Sequence, residues 1–321
     1  LYSINAQPGL ICQLRIAIMG TGGVGGYFGG LLAKSGEDVV LIARGEHLQA
    51  IKKNGLQIRS PKGDFAVKSV ATDSPSELDP VDLILFCVKG YDTEDAANQV
   101  KPLVSNDTTV ISLQNGIEKE EILGSILGAD NVMGGLCTLS AYIEAPGIIN
   151  HEGLERLAFG EIDGRESDRG KQILEVFKSA GINASLSTNV VAEEWEKFTF
   201  ICAVGGLCSL TGLPVGPILR YEGTKQLYER TMAEIIELAR AKGVSLSDDV
   251  LQRLMSFSLG LNPDIRPSMY RDLTNKRRIE IDILNGAVVR LGREFHVSTP
   301  TNDFIFACLD AINNVNLGIE E

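Results

Sequence analysis

Six consecutive residues, Gly20-Thr21-Gly22-Gly23-Val24-Gly25, carry the G-x-G-x-x-G spacing of a dinucleotide phosphate cradle. In such a turn the first glycine permits the tight bend and the second lets the backbone approach a pyrophosphate. The third packs the following helix against the preceding strand, and the N–H groups at the helix start face the anion. Gly26, Gly29 and Gly30 extend the small face. The context matters more than the spacing. The apolar run Leu14-Arg15-Ile16-Ala17-Ile18-Met19 leads in as a buried strand. A helix ending near Ser35-Gly36 then feeds a second apolar run, Asp38-Val39-Val40-Leu41-Ile42, which completes a βαβ unit.

The end of that second run addresses which dinucleotide. An NAD site places Asp or Glu about 20 residues past the fingerprint, on the ribose 2′-hydroxyl, whereas arginine there accommodates a 2′-phosphate. This chain has Ala43-Arg44-Gly45. The planar guanidinium of Arg44 suits phosphate oxygens, so NADP (as NADPH) is the cofactor expected.

These elements belong to a longer alternating pattern. Leu56–Arg59 and Phe65–Val70 read as a hairpin joined through Ser60-Pro61-Lys62-Gly63-Asp64. Val81–Val88, Val110–Leu113 and Val132–Leu136 read as strands buried on both faces, separated by helices near Thr93–Val100 and Ile117–Leu127. A helix at Gly170–Ala180 and a strand at Ile182–Leu186 close this half. From about Val190 the period becomes helical, as in Trp195–Leu207, Lys225–Lys242 and Ile279–Leu291, and Ser298-Thr299-Pro300 starts a last helix. The expected organisation is a Rossmann-type α/β domain over residues 14–188, then an all-helical domain over 189–321.

Bulk properties fit this. A chain of 321 residues is long enough for two domains, each with its own core. The net charge of −12 argues against nucleic-acid or anionic-lipid binding, which rest on basic surfaces. Six scattered cysteines, Cys12, Cys87, Cys137, Cys202, Cys208 and Cys308, form no C-x-x-C pair; they read as reduced thiols of a cytoplasmic protein, and no metal site is expected. Leu1–Gln13 lacks the pattern of a signal peptide and reads as a short extension; no apolar run reaches membrane-spanning length. His47, His151 and His296 form no catalytic spacing and read as structural or solvated.

Beyond the glycine turn, three motifs stand out. Glu194-Trp195-Glu196-Lys197-Phe198 opens the helical half, and Gln114-Asn115-Gly116 follows a strand. Pro267-Ser268-Met269 precedes Glu280-Ile281-Asp282-Ile283-Leu284-Asn285-Gly286. Together with Gly20–Gly25, in this order, they resemble the ketopantoate reductase (2-dehydropantoate 2-reductase) family over nearly the whole chain from Leu14. The resemblance implies a C-terminal domain like that of 6-phosphogluconate dehydrogenase. It also implies NADPH-dependent reduction of 2-dehydropantoate to pantoate, a step of pantothenate and coenzyme A biosynthesis. By resemblance Lys197 is the proton donor and Glu280 its catalytic partner. Asn115, Ser268 and Glu280 contact the substrate, and Lys89, Asn115 and Ala141 lie near the cofactor. The chemistry is coherent: hydride arriving at a carbonyl carbon leaves an alkoxide, and a positioned ammonium stabilises that charge and delivers the proton. Phe198, Phe200 and Ile201 could supply the burial that lowers a lysine pKa.

Four and eight residues past the lysine, well-known members of the family place asparagines that hold the substrate. Here those positions are Ile201 and Gly205. An apolar group for an amide removes hydrogen-bonding capacity from the pocket wall, so a more apolar 2-oxo or 3-oxo acid is the alternative substrate. A third reading, an NADP(H) sensor without turnover, has no need of a proton donor. The partner expected is thus a small 2-oxo acid, with a homodimer as the self-association considered.

Overall fold

The structure, a computed structural model, describes residues 13–319. Except for Gln13, the N-terminal extension, including Cys12, lies outside them. The α/β half runs β1 (Arg15–Met19), α1 (Gly23–Ser35), β2 (Asp38–Ile42), α2 (Gly45–Asn54), β3 (Leu56–Arg59), β4 (Phe65–Val67), β5 (Val70–Thr72) and β6 (Leu83–Phe86). It continues through α3 (Thr93–Val100), β7 (Thr109–Ser112), α4 (Lys119–Leu127), β8 (Val132–Ala145), β9 (Ile148–Gly160), α5 (Asp168–Ser179) and β10 (Ala184–Leu186). Strands β5-β2-β1-β6-β7-β8 are parallel neighbours. Their side chains are apolar on both faces because helices cover both sides; every residue of β6 is fully buried. The chain moves from β1 outward to β2 and later returns to the other side of β1 with β6. The carboxyl ends of β1 and β6 therefore flank a topological switch point, where open α/β sheets form a crevice.

The second half is all-helical: α6 (Val190–Thr211), α7 (Val215–Arg220), α8 (Glu222–Ala241), α9 (Val250–Leu259), α10 (Ser268–Thr274), α11 (Ala287–Glu294) and α12 (Pro300–Leu317). Its own core gathers Trp195, Phe198, Cys202, Tyr228, Met232, Ile235, Leu284 and Leu309. Residues on α8 recur at helical spacing and turn one stripe inward, as the sequence predicts.

Three departures from the sequence reading shape the site. The expected strand at Val132–Leu136 is only the start of β8, which runs to Ala145 and pairs antiparallel with β9 in a long hairpin. Beyond Cys137 its side chains are mostly exposed or half-exposed, so no buried run announces it. The hairpin read to Val70 stops at Val67, and Val70–Thr72 crosses to the opposite sheet edge to pair with β2. The helix expected over Ile279–Leu291 is irregular through Glu280, then makes a π-helical turn at Asp282–Gly286 before α11. There the Gly286 N–H reaches back to the Ile281 carbonyl at 2.9 Å, and buried Asn285 donates to Asn302 Oδ1 at 3.0 Å. Such turns gather at functional sites. Helices α2, α7, α9 and α10 are further additions to the sequence reading.

Candidate active site

The glycine turn is a backbone device. Gly20 has φ +94°, which a side chain would resist. A Cβ on Gly25 would sit 2.2 Å from the Gly20 carbonyl oxygen and against Ile18, so only glycine lets α1 pack on β1. Both the N–H and the hydroxyl of Thr21 donate to the Ile42 carbonyl, at 3.1 and 3.0 Å. Thr21 thus shapes the turn, and its hydroxyl is engaged within the fold. Gly22 differs: a Cβ there would meet no protein atom within 4 Å. It faces open space at the start of α1, where a pyrophosphate would approach the N–H groups; the residues present fit a dinucleotide. Val24 follows, half-buried, in the first turn of α1.

The β8–β9 hairpin closes over this turn. Its register slips at Ser140 and Ala141, a bulge that bends the strand. The Ala141 carbonyl then lies so close that a Cβ on Gly23 would fall 2.2 Å from it. His47 ties the two together: its Nδ1 accepts from Gly147 N–H at 2.9 Å, so its Nε2–H donates to the Thr21 carbonyl at 2.8 Å. Burial lowers the pKa of this ring, with the Thr21 bond opposing. Arg44 stands at the N-cap of α2, at the end of β2, with its side chain 87% exposed, and among the described residues it pairs only with Asp92, at 3.2 Å. It is free to turn toward a ligand beside the cradle.

Across the crevice, Glu194, Lys197, Ile201 and Gly205 recur at intervals of three and four along α6, so they share one helix face. Lys197 Nζ donates to Asn115 Oδ1 at 3.1 Å. Asn115 follows the carboxyl end of β7, as Lys89 follows that of β6. Burial lowers the Lys197 pKa below the ordinary lysine value, and the Lys119 cation adds to this against Cys137, Glu194 and Glu280. Ile201 lines the same small cavity as Lys197, and the bare face of Gly205 lies over Met269.

A second cluster adjoins the first. Glu280, buried ahead of the π turn, accepts from Gly90 N–H at 3.0 Å and Lys89 Nζ at 3.2 Å. Lys89 also donates to Asp272 at 2.8 Å. Burial opposes its charge, but the two carboxylates outweigh this and hold the ammonium well above the ordinary range. Glu280 therefore bonds to Lys89 and Gly90; the Lys197 ammonium takes its orientation from Asn115. Ser268 opens α10 with an exposed side chain. Asp272, one turn further along α10, was not anticipated. Its signal was the Ser268-x-x-x-Asp272 spacing, which puts both on one face of a short helix.

Among the described residues, no cluster of His, Cys, Asp and Glu is arranged to hold a metal ion, and no helix is long and apolar enough to cross a membrane. A glycine turn that fits a dinucleotide and a half-buried ammonium held by an amide are the parts that reduction of a carbonyl would need.

Comparison with known proteins agrees. Residues 16–164 match the family model described as Ketopantoate reductase PanE/ApbA, and residues 189–313 match its C-terminal counterpart. The chain belongs to the ketopantoate reductase family. It is 29% identical to the 2-dehydropantoate 2-reductase of Pyrococcus horikoshii, across 95% of this chain and 99% of that one. It is 28% identical to an uncharacterized oxidoreductase of Bacillus subtilis, YkpB, across 92% and 98%. Among solved structures, a PanE/ApbA family ketopantoate reductase from Ralstonia eutropha superposes with TM-score 0.88 at 35% identity, covering 94% of this chain and 99% of that one. A D-mandelate dehydrogenase with NADH and anilino(oxo)acetate superposes with TM-score 0.87 at 27% identity, covering 94% and 99%.

Proposed function

We propose that this protein reduces a small 2-oxo acid to the corresponding 2-hydroxy acid with NADPH. The observation that carries the reading is the half-buried Lys197 ammonium, held 3.1 Å from Asn115 at the carboxyl end of β7, where a dinucleotide seated on Gly22 would extend. When bound, the reduced nicotinamide supplies the hydride. Lys197 stabilises the oxygen on which charge develops and gives it a proton, turning the carbonyl into a hydroxyl. Asn115 orients the ammonium. Lys89, Asn115 and the Ala141 backbone serve the cofactor, and Arg44 its 2′-phosphate. Ser268 donates to the substrate carboxylate and Glu280 accepts from a substrate hydroxyl. In this reading residues 14–188 bind cofactor, residues 189–321 supply the proton and the pocket, and the buried thiols fit a cytoplasmic setting.

2-Dehydropantoate is the substrate proposed first, since the Pyrococcus horikoshii relative and the Ralstonia eutropha structure carry the name of that reductase and Lys197, Ser268 and Glu280 suit it. A second substrate, a 2-oxo acid with an apolar side group, is favoured by Ile201 and Gly205 on the substrate face of α6. The mandelate dehydrogenase similarity points the same way. Steady-state NADPH oxidation against a panel of 2-oxo acids tests both. Turnover of 2-dehydropantoate above the hydroxyl-free acids of similar size supports the first, and the reverse order supports the second. NADPH binding without turnover of any 2-oxo acid overturns the proposal in favour of a sensor.

A further inference from the structure

Behind Lys197 lies a buried ionic group that the reaction as written does not use. Lys119, the first residue of α4, is 4% exposed in its side chain, and Glu194 on α6 is 7% exposed. Lys119 Nζ donates to Glu194 Oε1 at 2.8 Å and also bonds Glu120. Glu194 Oε1 accepts in addition from the Gly135 N–H of β8 at 2.8 Å. One carboxylate thus fastens α6 to two elements of the α/β half. The fit is tight, since a Cβ on Gly135 would fall 2.7 Å from the Ser112 carbonyl and one on Gly134 would strike Val190.

These contacts close a ring. From Glu194 one helical turn leads to Lys197, and Lys197 bonds Asn115. Four residues along the chain from Asn115 comes Lys119, which returns to Glu194. The ring borders a cavity of about 10 Å³ lined in part by Gln114, Asn115, Lys119, Glu194, Lys197 and Ile201, close to the least that admits a water molecule. We infer that Lys119 and Glu194 are positioning residues for the proton donor, fixing α6 to the Asn115 loop and setting a cation and an anion behind the Lys197 ammonium. The inference rests on the reading of Lys197 as the proton donor.

The charged and titratable groups that face Lys197 are Glu194 on its own helix, Lys119 at the start of α4, Cys137 on β8 and Glu280 before the π turn. Within this set Lys119 opposes protonation of Lys197 and Glu194 favours it. Replacing the two members should therefore move the Lys197 titration in opposite directions, which simple loosening of the fold cannot do. Lys119→Met removes the cation shared by Glu194 and Glu120 and leaves Glu194 with the Gly135 N–H, so it should raise that titration by about one pH unit. It should also lower kcat by about 10- to 100-fold through misplacement of the ammonium. Glu194→Gln retains an oxygen for Gly135 and Lys119, so it keeps the ring folded; it should lower the titration by about as much, with a smaller loss of kcat.

The test is an NMR titration of the apoprotein labelled with 13C at lysine Cε, run beside kcat–pH profiles. The Lys197 signal is assigned by its absence in Lys197→Ala. Opposite shifts in the two variants, in both measurements, support the inference. Unchanged or parallel shifts, with Lys197→Ala inactive, overturn the positioning role and leave the proton-donor reading standing. Wild-type kcat in Lys197→Ala overturns that reading and the inference with it.

Discussion

The cradle and the proton-donor cluster face each other across one crevice, yet they are built by opposite means. The cradle is mainly backbone: Gly20 to Gly25 are contiguous, and their four glycines lack side chains where a carbonyl comes close or, in the proposed reading, a phosphate would. The cluster is side chains gathered from afar. Lys197 meets Asn115 across 82 residues of sequence, and Lys89 meets Glu280 across 191. A contiguous backbone device fails when something is added to it; a gathered cluster fails when something is removed. Substitutions on the two sides should therefore separate binding and stability from turnover.

The largest effect is expected on the side-chain half. Lys197→Ala should lower kcat by ~10²–10⁴-fold, the usual worth of general acid catalysis. It should leave the NADPH Kd nearly unchanged, because the ammonium acts on charge that develops only in the transition state. A variant that loses NADPH affinity in step with kcat would break the comparison.

On the backbone half, two glycines three residues apart should behave differently. Gly25→Ala forces a Cβ onto the Gly20 carbonyl, an overpacking that costs about 1–3 kcal/mol and lowers Tm. Gly22→Ala meets only open space in the protein, so Tm should hold while dinucleotide affinity falls. Thermal melts with and without NADPH read both quantities. Equal Tm losses in the two variants would show that Gly22 is also constrained by the fold.

A smaller effect is expected at the rim. Arg44→Ala should weaken NADPH binding by about 10-fold, the low end for a charge-assisted contact because this side chain is exposed. NADH binding should barely change. Equal losses for the two cofactors would place Arg44 outside the 2′-phosphate site.

The finest test is the pH dependence. In the proposed reaction the ammonium form of Lys197 is the acid, so kcat should be full below its pKa and fall as pH rises through it. Burial lowers that pKa, so the fall should begin below the 10.5 of an ordinary lysine. A profile flat to pH 10.5, or one retained in Lys197→Ala, would remove Lys197 from the proton-donor role.

The same division explains what could be read in the chain. Strand β1, the glycine turn and Arg44 at the end of β2 were legible because apolar runs, glycine spacing and a strand-end charge act between near neighbours. The helix face bearing Glu194, Lys197, Ile201 and Gly205 was legible for the same reason. The hairpin over the cradle was hidden. Beyond Cys137 strand β8 has no buried run, and Ala141 meets Gly23 through a carbonyl oxygen that any residue type could supply. The π turn was hidden too, since residues 279–291 have helical periodicity and the groups that hold Glu280 just ahead of it, Lys89 and Gly90, lie far away in the chain.

The sequence by itself determined a parallel α/β half with a dinucleotide turn, a helical half, and the residue types able to move a proton. Only the tertiary structure decided which partner each charge takes. Glu280 goes to Lys89, Asn115 to Lys197, and Glu194 to Lys119 beneath the proton donor. The physical reason is that periodicity and turn chemistry are set within a few residues of chain, whereas a buried charge takes its partner from whatever the packed elements bring within about 3 Å.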